Sequence, residues 1–126
     1  MPETTPRARR GKSGEAHARA WLEARGYRWV ASNWHCHSGE LDIVMTDGDE
    51  LVFVEVKTRT GEFAGRASEA VSRDKRRKII TSAEWFISAH PPYQDMIWRC
   101  DIVAVTIHPR TGHPKIDHFV NALVVG

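Results

Sequence analysis

Hydrophobic and polar positions recur with two different periods along this chain of 126 residues, and the changes of period mark its elements. From Ser13 to Gly26 the period is helical. His17, Ala20, Trp21 and Ala24 recur at i, i+3, i+4 and i+7, and Ser13 and Gly26 stand where a cap and a stop belong. Tyr27 to Trp34 reads as a strand. Ser38-Gly39 marks a turn, after which Leu41, Ile43 and Met45 alternate with Glu40, Asp42 and Val44. Thr46 to Glu50 is a hairpin loop, and Leu51 to Thr58 is the strongest strand in the chain. It is apolar on both faces, which predicts a central strand covered from both sides. Thr60 to Arg66 is a glycine-containing loop. A second helix starts at about Ala67 or at Ser72 and runs to Ala89, with Val71, Ile79, Ala83 and Phe86 on its core side. Pro91-Pro92 ends it. Trp98 to Ile107 and Lys115 to Val120 are two further strands, separated by a turn over Pro109 to Gly112.

The order is therefore αβββαββ. The first three strands lie close in sequence and should form an antiparallel meander, and the long helix can then cross over to lay the fourth strand parallel to one of them. The expectation is an α/β fold, a mixed β-sheet flanked by helices. The length suits one domain, assigned to residues 13–126. Residues 1–12 hold Pro, Thr and Arg and almost nothing to bury, and read as a disordered basic arm.

Composition narrows the class without naming a function. Apolar residues make up 41% and charged residues 27%, which fits a globular protein and excludes a wholly disordered chain. No apolar run approaches the ~20 residues of a membrane-spanning helix, so no membrane role is expected. No secretory signal is visible, and Cys36 and Cys100 stand far apart with no CxxC pair. A cytoplasmic protein without a disulfide framework is expected. Charge says more. The net charge is +2, yet residues 1–12 carry +3 and residues 73–78 carry +4, leaving −5 elsewhere. Two basic patches on an acidic remainder suggest a polyanionic partner with an acidic site nearby.

The acidic site has a location. Glu55 and Lys57 interrupt the most apolar segment, and strand geometry puts both on one face with Val56 on the other. Charges in a central strand are costly unless paired or bound to a metal. The hairpin brings further carboxylates. A loop centred between Gly48 and Asp49 sets Asp42 opposite Glu55, whereas a two-residue loop Asp47-Gly48 sets Glu40 there instead. In either register two or three carboxylates and a lysine converge. Without a cation they repel, or one carboxyl stays protonated. A hard divalent cation, magnesium or manganese, suits such oxygen ligands.

This predicts a metal site that hydrolyses a phosphodiester. Asp42 and Glu55 would ligate the metal, helped by the Val56 carbonyl, and the metal would polarise the scissile phosphate and acidify a water. Lys57 would orient that water or offset charge on the phosphate. Glu40 is read as a supporting carboxylate behind the ligands. Lys75, with Arg59 across the loop and Arg76 beside it, is read as contacting nucleic-acid phosphates. His35-Cys36-His37 is not read as a zinc site, since neighbours in an extended chain point to opposite faces. Five tryptophans are many for this length. Most belong in a core or interface, and one or two near the site would be placed to stack on an unpaired base.

The segments Gly39-Glu40-Leu41-Asp42-Ile43-Val44 and Phe53-Val54-Glu55-Val56-Lys57-Thr58-Arg59 resemble the PD-(D/E)XK nuclease signature, with Leu41 where the nuclease name has proline. More narrowly, the chain resembles the YraN-like family of small uncharacterised bacterial proteins. That likeness runs from Gly14-Glu15 through Asn33 and both motifs to Lys75, Ala83, Arg99-Cys100-Asp101 and Asn121-Ala122. The resemblance implies a restriction-endonuclease-like fold, related to Holliday-junction resolvases and tRNA-endonuclease-like domains. It implies Glu15, Asp42, Glu55 and Lys57 as the catalytic set, DNA in preference to RNA as the partner, and a homodimer. The alternatives are a nucleic-acid-binding protein on a nuclease fold without turnover, and an adaptor whose charged cluster is an ion-pair network.

Overall fold

The computed structural model describes residues 6–61 and 72–123, and the side chains from Ser13 onward within them. The elements are α1 (Pro6–Glu23), β1 (Arg28–Cys36), β2 (Gly39–Asp47), β3 (Glu50–Thr60), α2 (Arg73–Ala89), β4 (Ile97–Ile107) and β5 (Pro114–Phe119), with a short 3-10 turn at Pro91–Tyr93. The order αβββαββ is the expected one.

The five strands form one sheet in chain order, β1-β2-β3-β4-β5. The meander β1-β2-β3 is antiparallel, β4 runs parallel to β3, and β5 returns antiparallel to β4. The α2 segment is the crossover that a parallel pair needs. The architecture is thus the α/β mixed sheet flanked by helices, in the arrangement the restriction-endonuclease-like resemblance implied.

Two apolar layers sandwich the sheet. On one face Ala18 and Leu22 of α1 pack on Ile43, Met45, Val52, Val54, Val103 and Val105. On the other, Ile79, Ala83 and Phe86 of α2 pack on Val44, Leu51, Phe53, Cys100 and Ile102. The alternation of β3 feeds both layers, Leu51 and Phe53 to one and Val52 and Val54 to the other, as a covered central strand must. Edge-to-face contact of Phe53 with Phe86, centroids 5.7 Å apart, locks α2 on its face.

Two expectations about α1 need correction. The helix begins at Pro6, not Ser13, and so takes in residues 6–12 of the segment read as an arm. Proline suits a first helical position, and the Arg, Ala and Lys that follow are good helix formers. The buried stripe is also displaced. Gly14, Ala18 and Leu22 face the sheet, while Ala20 and Ala24 are exposed and His17 and Trp21 are half-buried. The larger residues promised more area, but small ones let the helix come closer. A Cβ on Gly14 would lie 1.8 Å from Thr58 Oγ1, so α1 touches β3 there backbone to side chain.

The second helix matches its pattern. Ser72 caps it, its side chain accepting from the Lys75 N–H at 3.1 Å. Val71 lies outside the described residues. The β1 edge is irregular: its register slips between Trp29 and Ala31, and Asn33 takes a positive φ of 52°.

Candidate functional site

Pairing of Asp47 with Glu50 and of Ile43 with Val54 decides the hairpin register. The turn residues are Gly48 and Asp49, and the same register carried one step on sets Asp42, not Glu40, opposite Glu55. Regular pairing stops at Ile43, and there the Asp42 side chain takes over. Its Oδ2 accepts the Val56 N–H at 2.9 Å. A strand residue's N–H and C=O point to the same side, so the Val56 carbonyl also faces Asp42.

Glu55 is buried, with 5% of its surface exposed, so its charge needs partners. It has two. Lys57 Nζ lies 3.5 Å and Lys75 Nζ 3.3 Å from its Oε1. Lys57 comes from the same face of β3 and Lys75 from the first turn of α2. The Glu55 charge raises the Lys75 ammonium above its ordinary value, against partial burial. Asp42 is treated differently. Its carboxyl is in hydrogen-bonding contact with that of Glu55. Burial first, then the Glu55 charge and, more weakly, Glu15, push it up to about 8 despite the Val56 N–H. At neutral pH the metal-free protein therefore keeps a proton on Asp42.

The pair forms the floor of a cleft of about 270 Å³ between the β1–β2 hairpin end, β3 and α2. Glu40, Lys75, Lys78 and Ser82 line it with Asp42 and Glu55. Gly39 adopts φ 144° at its lip, a conformation that favours glycine. Cys36 Sγ lies 3.5 Å from Ser82 Oγ, tying the hairpin to α2.

The structure thus brings together Asp42, Glu55, Lys57 and Lys75, with Glu15 half-buried on α1 and close enough to be felt by Asp42. The Gly14 contact with Thr58 sets that approach. Glu40 lines the cleft, 3.7 Å from His35 Nε2. Arg59 is exposed at the end of β3, on the face of Glu55 and Lys57. Arg76 is half-buried one residue beyond Lys75 and is not among the residues lining the cleft. Among the described residues no three His, Cys, Asp or Glu side chains form a ready-made metal cage. The donors available at the floor are two carboxylates and the Val56 carbonyl. Magnesium, which keeps several waters and takes one or two carboxylates, fits such a partial oxygen set, whereas a structural zinc does not.

Sequence reasoning missed a second charged cluster. Arg99 and Asp101 share the α1 face of β4, across the sheet from the α2-side cleft, with Asp101 paired to Val54 next to Glu55. Asp101 is fully buried. It accepts from Arg99 Nε at 3.1 Å and from the Asn121 N–H at 2.8 Å, and pairs with His118 Nε2 at 2.8 Å. Arg99 also reaches Glu50, Asp47 and the Tyr27 hydroxyl. Burial opposes the charge on Asp101, but His118, the Asn121 N–H and Arg99 together hold its carboxyl below the usual range. Charged residues two apart in an apolar strand, the signal that marked Glu55 and Lys57, are present here too. Cys100 is buried, its thiol pushed up to about 12 by burial and then by Asp101, and so is a core residue rather than a nucleophile. Cys36 and Cys100 are both free.

An α/β sheet carrying Glu55 and Lys57 on its central strand and Asp42 on the strand beside it defines the class. Residues 14–105 match the uncharacterised protein family UPF0102, and the chain belongs to that family. A UPF0102 protein of Roseiflexus castenholzii is 38% identical over 120 residues, covering 95% of this chain and 97% of its own. One from Chloroflexus aurantiacus is 40% identical over 120 residues (94% and 96%), and one from Xanthomonas campestris is 41% identical over 114 residues (90% and 89%). Among the described residues no helix is long and apolar enough to cross a membrane.

Proposed function

We propose that this protein is a metal-dependent endonuclease that hydrolyses phosphodiester bonds in structured nucleic acid, DNA in preference to RNA. One observation carries the reading: Asp42 and Glu55 lie carboxyl to carboxyl at the floor of a cleft rimmed by Lys75 and Lys78. Two acids pressed together destabilise a fold unless something cationic joins them. Among the described residues Lys57 and Lys75 pair with Glu55, whereas Asp42 accepts from the Val56 N–H and has no cationic partner within ion-pair distance.

Magnesium or manganese bound between Asp42, Glu55 and the Val56 carbonyl would supply Lewis acidity to the phosphate. Lys57, freed from Glu55 when the cation neutralises that carboxylate, would face the phosphate and offset the charge that grows on it. Lys75 and the exposed Arg59 would hold the flanking phosphates, with Arg76 beside them. Glu15 would steady the nucleophilic water from the α1 side, and Glu40 would act from behind the ligands. The pairing of both lysines with Glu55 favours a second reading, in which the protein binds nucleic acid through its basic rim without turnover.

Cleavage of labelled four-way junction, flap, nicked and single-stranded DNA and of RNA, with manganese, magnesium or chelator, separates the two. Metal-dependent cutting by the wild type that falls at least a hundredfold in Glu55→Ala is expected. Equal salt-sensitive binding by both proteins with no cutting would overturn the nuclease reading and leave the binding one.

A further inference from the structure

The cleft does not end at the carboxylates. Lys75, Lys78, Ser82 and Trp85 follow one another at steps of three and four along α2, a single helical stripe. That stripe runs ~15 Å at the helical rise, from the acidic floor to the tip of the β1–β2 hairpin. Lys75, Lys78 and Ser82 line the cleft. At its outer end Trp85 is 46% exposed, a large apolar surface that the core does not use. His37, on the hairpin turn, stands edge-on to it with ring centroids 4.9 Å apart. The Cys36–Ser82 contact keeps that turn against the helix, so the aromatic pair is held rather than loose.

We propose that the cleft is the inner end of a track for an unpaired, single-stranded segment, in which the Trp85 face, held by the edge-on His37, stacks a base and Lys75 and Lys78 hold the phosphates between that base and the acidic floor. The placing of the scissile phosphate rests on the nuclease reading; the stacking does not. Three features favour this occupant. A cleft of about 270 Å³ takes a group of nucleotide size, not the width of a duplex. Aromatic faces spaced along a cationic groove are what single strands bind, because every base offers a π-face. The remaining polar group of the lining, Glu40, offers an acceptor to an exocyclic amine rather than to a phosphate.

The substrate is accordingly one with a single-stranded arm, such as a flap, overhang or gap, in place of a fully paired helix. The test measures binding in chelator, so that no cutting intervenes. Labelled single-stranded and blunt duplex oligonucleotides are titrated into wild type, Trp85→Ala, Trp85→Phe and, as a control at the far end of the sheet, Ile97→Ala. The ratio of single-strand to duplex affinity should fall roughly tenfold or more in Trp85→Ala, recover in Trp85→Phe and stay at the wild-type value in Ile97→Ala. Thermal melting of each variant checks folding, which an exposed position should tolerate. An unchanged ratio in Trp85→Ala, or a fall that Trp85→Phe does not repair, would overturn the track. Loss of cutting in Glu55→Ala with an unchanged Trp85→Ala ratio would leave the nuclease standing and remove the track alone. A changed ratio with no cutting by wild type would do the reverse.

Discussion

Replacing Asp42 by asparagine should make the metal-free protein more stable at alkaline pH. The side chain keeps its shape, its carbonyl oxygen can still accept the Val56 N–H, and its amide can donate to Glu55 as the protonated acid does. What disappears is the ionisation. Asp42 ordinarily titrates near 3.8 and in the fold at about 8, so the folded state holds its proton more tightly. The resulting stability is fully present below ~4, is lost progressively as pH rises, and is gone above ~8. Between pH 5 and pH 8 the ceiling is ~4 kcal/mol, at 1.36 kcal/mol per pH unit. Water reaching the half-buried carboxyl brings the expectation to ~2 kcal/mol. Urea unfolding in chelator at pH 5 and pH 9 reads this directly, because the difference between wild type and Asp42→Asn cancels every titration not coupled to Asp42. The variant should match the wild type at pH 5 and exceed it by ~2 kcal/mol at pH 9. Manganese should stabilise the wild type and do less for the variant, which has lost a ligand. An Asp42→Asn protein that is several kcal/mol weaker at both pH values would refute the reasoning and mark Asp42 as part of a structural ion-pair network.

Two further predictions concern the scaffold. Gly14→Ala should destabilise by ~2 kcal/mol or more despite its better helix propensity, since the new Cβ meets Thr58 Oγ1 at 1.8 Å and Thr58 Cβ at 2.9 Å; urea unfolding that matches wild type would dismiss the contact, and Thr58→Ala should return part of the loss. Asp101→Ala should cost ~3–5 kcal/mol, because Arg99 and His118 lose the buried carboxylate between them. The Asp101 carboxyl is held below its usual value, so its stabilisation is present above ~3.8 and is lost as pH falls through the depressed folded value. Acid titration followed by circular dichroism should show that loss in the wild type and not in Asp101→Asn, and identical acid profiles would count against it.

The legible parts were those set by local period. The β3 run, apolar on both faces, could only be central, and Ser72 stood where α2 is capped. The carboxylate pair was legible up to one residue of register, because a two-residue turn at Gly48-Asp49 and one at Asp47-Gly48 look alike in sequence and differ in which acid meets Glu55. The α1 face was misread because hydrophobic periodicity rewards bulk, whereas the sheet selected the small residues Gly14 and Ala18 for close approach. The Arg99–Asp101 pair carried the same local signal as Glu55 and Lys57 and was passed over, whereas His118 and the Asn121 N–H join it only through the β4–β5 pairing and the chain's return. His37 and Trp85, 48 positions apart, meet only once α2 has folded back over the hairpin.

The irregular β1 also bears on how the molecule keeps to itself. Among the described residues β1 and β5 are the edge strands of the sheet, and an edge strand offers unpaired backbone groups to a passing strand. On β1 the slip in register between Trp29 and Ala31 and the left-handed turn of the backbone at Asn33 break the even spacing of those groups. An incoming strand cannot run in step past both irregularities. The border nearest the hairpin tip is thereby a poor template for amyloid-like stacking, and the chain can hold an exposed tryptophan close by without that border inviting aggregation.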